Sequence, residues 1–88
     1  MKLVFAAPAM AEYRTWEAQD PDMQARIDAL IQEALRKPFE GMGKPEALRG
    51  RLSGWWSRRI AREHRLVYRV TGEGKARALE IAQCRYHV

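Results

Sequence analysis

Ser53-Gly54-Trp55-Trp56-Ser57-Arg58-Arg59-Ile60-Ala61-Arg62-Glu63-His64-Arg65-Leu66-Val67-Tyr68-Arg69-Val70 decides how this chain is read. From about His64 to Thr71, Leu66, Tyr68 and Val70 fall on one side of an extended segment, and Arg65, Val67 and Arg69 on the other. A period of two is the mark of a strand with one face in a core and one face outward. A second strand, about Arg51 to Arg59 or Ile60, precedes it. Arg58, Arg59, Arg62, Arg65 and Arg69 then put dense positive charge on a small surface, interleaved with Trp55, Trp56 and Tyr68. Planar guanidinium donors suit phosphate, and aromatic rings suit stacked bases.

Outward from this hairpin the rest follows. Gly72-Glu73-Gly74-Lys75 reads as a turn into a last strand, about Arg77 to Tyr86. That strand alternates poorly, because Ile81 and His87 share a nominal face; a bulge intervenes or the strand ends before His87. Lys2 to Phe5 is a short first strand. Pro8 suits a first helical turn, and Met10, Tyr13 and Trp16 recur at helical spacing to about Gln19. Asp20-Pro21-Asp22 restarts a helix, with Ile27, Leu30, Ile31, Ala34 and Leu35 as its apolar stripe and Pro38 as its stop. Phe39 to Gly50 is a loop with three glycines and one proline in twelve residues. The order β-α-α-β-β-β implies an α+β fold: two N-terminal helices on one face of a small, mostly antiparallel sheet, the other face free for arginines.

Eighty-eight residues bound one domain, 1–88. A hydrophobic content of 47% argues against disorder. The single Cys84 rules out an internal disulfide, and with two His there is no structural zinc cluster; no metal or other cofactor is expected. A reducing cytoplasm fits. Leu3 to Ala11 imitates a signal peptide, but the stretch is short and broken by Pro8, so a strand running into a helix is the expectation. No apolar run approaches a membrane span. Residues 1–40 carry five Lys/Arg against seven Asp/Glu; residues 41–88 carry eleven against four. So lopsided a distribution points to a polyanionic partner, nucleic acid or a very acidic protein.

RNA can be cut by a base that takes the ribose 2′-hydroxyl proton, an acid that protonates the departing 5′-oxygen, and cations on the phosphoryl oxygens. Every residue type required is present. Arg65 and Arg69 share a strand face, and Arg59 can join them from the neighbouring strand; a solvated basic face is the plainer alternative. Glu46, in the glycine-rich loop between Lys44 and Arg49, is the base candidate, with Glu40 and Glu63 as rivals; it also reads as an ordinary loop carboxylate. His87 is the acid candidate, since imidazole titrates near neutral pH. His64 competes, but a structural task suits it better. Trp55, Trp56, Tyr68 and Tyr86 are core or stacking surfaces, with Trp55 and Tyr86 the expected exceptions to core. Cys84 reads as a buried apolar group.

Pro38-Phe39-Glu40-Gly41, Gly43-Lys44-Pro45-Glu46, Leu52-Ser53-Gly54, Trp56-Ser57-Arg58-Arg59-Ile60, Glu63-His64-Arg65-Leu66-Val67-Tyr68 and Cys84-Arg85-Tyr86-His87 together resemble the Txe/YoeB toxins of the RelE superfamily. The resemblance runs from Met1 to the last residue. It implies a microbial-ribonuclease-like α+β fold and cleavage of messenger RNA in the ribosomal A site. It also implies neutralisation by an acidic antitoxin, and a possible homodimer. Carried over by position, it makes Glu46 the base, Arg65 with Arg59 the phosphate clamp and His87 the acid. Arg49 stands for the family's loop cation, and Lys44, Arg58, Arg62 and Arg69, with Trp55 and Tyr86, are expected RNA contacts. Two departures stand out. Val88 replaces the family's usual final aromatic, which leaves open a weakened module that binds without cutting. The Gly72–Arg77 hairpin is longer and more basic than usual.

Overall fold

The computed structural model describes residues 1–86; His87 and Val88 lie outside the described residues. The chain forms β1 (Lys2–Phe5), α1 (Ala7–Gln19), α2 (Pro21–Arg36), β2 (Glu46–Ala47), β3 (Trp56–Ala61), β4 (His64–Thr71) and β5 (Ala78–Gln83). Short 3₁₀ turns cover Gly50–Leu52 and Gly74–Ala76. The five strands make one sheet in the order β1-β5-β4-β3-β2, with β1 parallel to β5 and every other pair antiparallel.

The helices start and stop for identifiable reasons. The Asp20 side chain accepts from the Met23 amide at 3.2 Å, Pro21 begins the first turn of α2 where no amide hydrogen is needed, and Asp22 complements the positive helix end. Ile27, Leu30, Ile31 and Ala34 line the buried side of α2. From α1 only Ala9 and Trp16 are buried. Trp16 donates its indole N–H to the Cys84 carbonyl at 2.8 Å, so α1 is tied to the end of β5.

Ile60, Leu66, Tyr68, Leu79 and Ile81 meet the helices and complete the core. Burying one such side chain contributes about 1.5–3 kcal/mol. On β4 Leu66 and Tyr68 point inward as expected, but Val67 on the opposite face is buried as well, so burial does not alternate there. Three boundaries differ from the sequence reading. The strand expected from Arg51 begins at Trp56, because Gly50–Leu52 closes into a turn with the Trp55 amide on the Leu52 carbonyl at 2.9 Å. The Phe39–Gly50 loop contains the two-residue strand β2. The last strand ends at Gln83 rather than Tyr86, and a register shift between Val67 and Tyr68 marks a bulge against it.

Candidate active site on the open sheet face

Cross-strand partners share a face, so the register lays out the side of the sheet away from the helices. One row runs Glu46, Ser57, Val67, Gln83. The next row toward the β3–β4 turn is Arg59 opposite Arg65. The row on the other side holds Arg69 opposite Glu80. Strands are about 4.8 Å apart and alternate residues about 6.7 Å, which puts the Glu46 and Arg65 Cα atoms within about 12 Å. The register thus places one carboxylate and one guanidinium on the same face, two strands apart.

Arg59 and Arg65 face each other directly, and like charges in that position are destabilising. Among the described residues neither has a carboxylate partner; the ion pairs are Arg36–Glu33, Lys37–Glu40 and Arg69–Glu80. Arg65 gives Nη1 to the carbonyls of Ala61 and His64 at 3.1 and 3.2 Å, which aims the guanidinium along the β3–β4 turn. Arg59 and Glu46 are exposed.

The remaining expected contacts separate. Lys44 and Arg49 are on the segments flanking β2, and Lys44 takes a left-handed backbone with φ 52°. Arg62 is exposed in the β3–β4 turn. Arg69 is already engaged: its Nε donates to Glu80 at 2.8 Å and its guanidinium lies 4.4 Å from the Trp55 ring centre. One face of Trp55 is therefore covered. Tyr86 is 57% exposed and packs against His64, ring centres 5.3 Å apart. His87 lies outside the described residues. Among those residues no three His, Cys, Asp or Glu side chains cluster closely enough to hold a metal ion.

Arg58 is a correction. It shares the parity of Trp56 and Ile60, points into the helix side and is 0% exposed, so it is not a surface phosphate contact. Its Nε donates to the Tyr68 hydroxyl at 2.9 Å, Nη1 to the Met42 carbonyl at 2.7 Å, and Nη2 to the carbonyls of Lys37 and Glu40. Tyr68 in turn donates to the Pro38 carbonyl at 2.6 Å. Burial is the main cause that raises the Tyr68 phenol above its ordinary range, with the Arg58 guanidinium opposing it. The 37–43 loop is thus wrapped round a buried guanidinium and led into Lys44-Pro45-Glu46. Gly43 closes the wrap: its carbonyl accepts the Arg59 amide at 2.6 Å, its φ is +85°, and a Cβ there would sit 2.8 Å from Leu30 Cδ2.

Sequence reasoning missed Glu80 as the counter-ion of Arg69, although a lone acidic residue in an apolar strand was a visible signal. It also missed the bond from the Tyr86 amide to His64 Nδ1, at 2.7 Å, for which no local pattern exists. Cys84 is buried as expected, and burial pushes its thiol up to about 12.

Two helices packed against a five-stranded mixed sheet match the fold of solved YoeB/RelE-like toxins. Residues 5–88 match the model of the YoeB-like toxin of bacterial type II toxin-antitoxin systems, and the chain belongs to that family. It is 48% identical over 87 residues to Toxin YoeB of Escherichia coli K12, covering 99% of each chain. The solved YoeB/ParE toxin from Agrobacterium tumefaciens is 49% identical, covers 100% of each chain and superposes with a TM-score of 0.97. A YoeB from Staphylococcus aureus, 37% identical, was solved as a dimer with TM-score 0.88 and in a heterotetrameric YoeB–YefM toxin–antitoxin complex with TM-score 0.87; this chain is covered fully and that one to 98%. The protein is thus a YoeB-type toxin of a toxin–antitoxin system.

Proposed function

We propose that this toxin is a ribosome-dependent endoribonuclease that cuts messenger RNA in the ribosomal A site and so stops translation. Residues 1–88 act as one domain in the cytoplasm. The observation that carries the reading is the register of the open face, which sets Glu46 one row from the Arg59–Arg65 couple. Two cross-strand arginines with no carboxylate partner among the described residues call for an anion, and an internucleotide phosphate supplies it.

In this reading Glu46 removes the 2′-hydroxyl proton. The oxyanion attacks the adjacent phosphorus while Arg65 and Arg59 balance charge on the phosphoryl oxygens. His87 protonates the 5′-oxygen as its bond to phosphorus breaks. The products are a 2′,3′-cyclic phosphate, or the 3′-phosphate that its hydrolysis gives, and a 5′-hydroxyl. An acid or base of this kind is worth about 10²–10⁴-fold in rate, and the phosphate donors a few kcal/mol more. No metal or cofactor takes part. Lys44, Arg49 and Arg62 hold neighbouring phosphates, and Tyr86 offers a stacking ring. An acidic antitoxin neutralises the protein by covering this face, in line with the S. aureus YoeB–YefM complex, and a second copy is a further partner, in line with the S. aureus dimer.

The test is a reconstituted translation mixture with a defined message. The expected result is new 5′-hydroxyl ends inside A-site codons; intact message under full inhibition would defeat the reading. Val88, in place of a terminal aromatic, favours a second reading in which the protein obstructs the ribosome without cutting. His87→Ala separates the two, because a nuclease loses most of its inhibition and an obstructing module keeps it.

A further inference from the structure

The residues that lead into His87 are fastened by two opposed hydrogen bonds from one dipeptide. His64 accepts the Tyr86 amide through Nδ1 at 2.7 Å, and the Arg65 amide donates to the Tyr86 carbonyl at 2.9 Å. Gln83 Nε2 adds a bond to that same carbonyl at 3.0 Å and one to the Arg85 carbonyl at 3.0 Å. Tyr86 sits at φ 60°, a left-handed conformation that costs a non-glycine residue energy and persists only where its surroundings hold it.

The imidazole is itself held. Its ring meets the Trp16 indole edge-on, centres 4.8 Å apart, and Trp16 is pinned by its bond to the Cys84 carbonyl. On the outside lies the Tyr86 ring. The Cys84 amide donates to Glu12 at 2.8 Å, and Arg85 lies over Trp16 at 4.6 Å, so the segment 84–86 is anchored to α1 as well. A nitrogen that accepts carries no proton, so the Nδ1 lone pair of His64 is committed to the Tyr86 amide. It has no free acid–base duty at Nδ1. What it does is join the last described residues to the strand position of Arg65.

We propose that His64 is a positioning residue for the cleavage reaction: through Nδ1 it holds the Tyr86 peptide against β4, and so keeps the phosphate-gripping Arg65 and the segment that carries His87 in one register. This rests on reading His87 as the general acid. A displacement of about 1 Å at a reacting group can cost about 10²-fold in rate. Loss of the clasp is therefore expected to lower turnover and to leave RNA binding nearly untouched.

Three variants test it. His64→Asn keeps an acceptor oxygen close to the place of Nδ1. His64→Gln moves that oxygen one bond outward, toward the place of Nε2. His64→Leu keeps bulk and removes the acceptor. Two readouts are taken on the full chain: hydrogen exchange of the Tyr86 amide, and cleavage of messenger on programmed ribosomes resolved into kcat and KM. His64→Leu and His64→Gln are expected to speed Tyr86 exchange about tenfold, the equivalent of one hydrogen bond. They are expected to lower kcat about 10–100-fold with KM within about twofold. His64→Asn restores both to within about threefold of the parent. If His64→Asn is no better than His64→Gln, or if kcat and Tyr86 exchange are unchanged in His64→Leu, the proposal is overturned. Should His64→Leu fail to fold, the Asn–Gln contrast decides alone. His87→Ala is run beside them: full cleavage by that variant overturns the general-acid reading, and the exchange data still decide whether His64 holds Tyr86.

Discussion

Two adjacent arginines with the same chemistry have opposite fates here. Arg58 is fully buried with carbonyl and hydroxyl acceptors on all sides, and Arg59 is exposed against the like charge of Arg65. Removing Arg58 strands buried acceptors and releases the 37–43 loop. Arg58→Met is therefore expected to cost about 3–5 kcal/mol, the scale for breaking a buried charged network, measured by urea unfolding. Arg59→Met relieves repulsion and is expected to leave stability within about 0.5 kcal/mol while weakening RNA cleavage. Equal losses of stability from both would contradict the assignment. The distinction was legible: Trp56, Arg58 and Ile60 share one parity, and strict alternation places Arg58 inward. The number of arginines in the stretch drew the sequence reading to charge instead of parity. Cys84 makes a second prediction at this scale. Burial holds the folded thiol near 12, above its ordinary 9.0, so the unfolded chain loses its proton first. Stability from this group is full below about pH 9 and falls as pH rises toward 12. A thiol reagent at neutral pH is expected to label the protein only as fast as it opens.

At the scale of elements, α2 and the loop after it carry the base candidate. Asp20→Ala removes the side-chain cap and is expected to cost about 1 kcal/mol by thermal melt. Gly43→Ala forces a Cβ against Leu30 and Arg58 in a left-handed backbone, and should cost about 1–3 kcal/mol. Glu33 holds the same loop from the helix side through the Met42 amide, at 3.4 Å. That backbone N–H is the first cause that keeps its carboxyl below the usual range, with Arg36 and Arg58 helping and desolvation opposing. A lowered carboxyl contributes stability above its unfolded range and loses it as pH falls. Glu33→Gln should therefore flatten the acid-side loss of stability, and an unchanged pH profile would remove Glu33 from the account. The helices were legible because their caps and apolar stripes are local. β1 pairing beside β5, and Glu46 joining the sheet as a two-residue strand, were not: each depends on partners far away in sequence.

At the scale of the whole molecule, the division between an acidic helical half and a basic sheet half is visible in composition and survives in three dimensions. The helices cover one face, and the cationic rows occupy the other. The residue types of the candidate site were readable from the chain, and the rows that relate Glu46 to Arg59 and Arg65 required the register. The proposed contacts to several phosphates predict that association with programmed ribosomes weakens steeply with salt, and that Lys44→Ala or Arg62→Ala each shallows the log–log slope by about one.

The most direct measurement is single-turnover cleavage on ribosomes carrying a defined A-site codon, comparing the parent with Glu46→Gln, Arg65→Met and His87→Ala at equal ribosome occupancy. The account predicts losses of about 10²–10⁴-fold for each, with 5′-hydroxyl ends from the parent alone in that time. Parental rates from Glu46→Gln and His87→Ala together would contradict it.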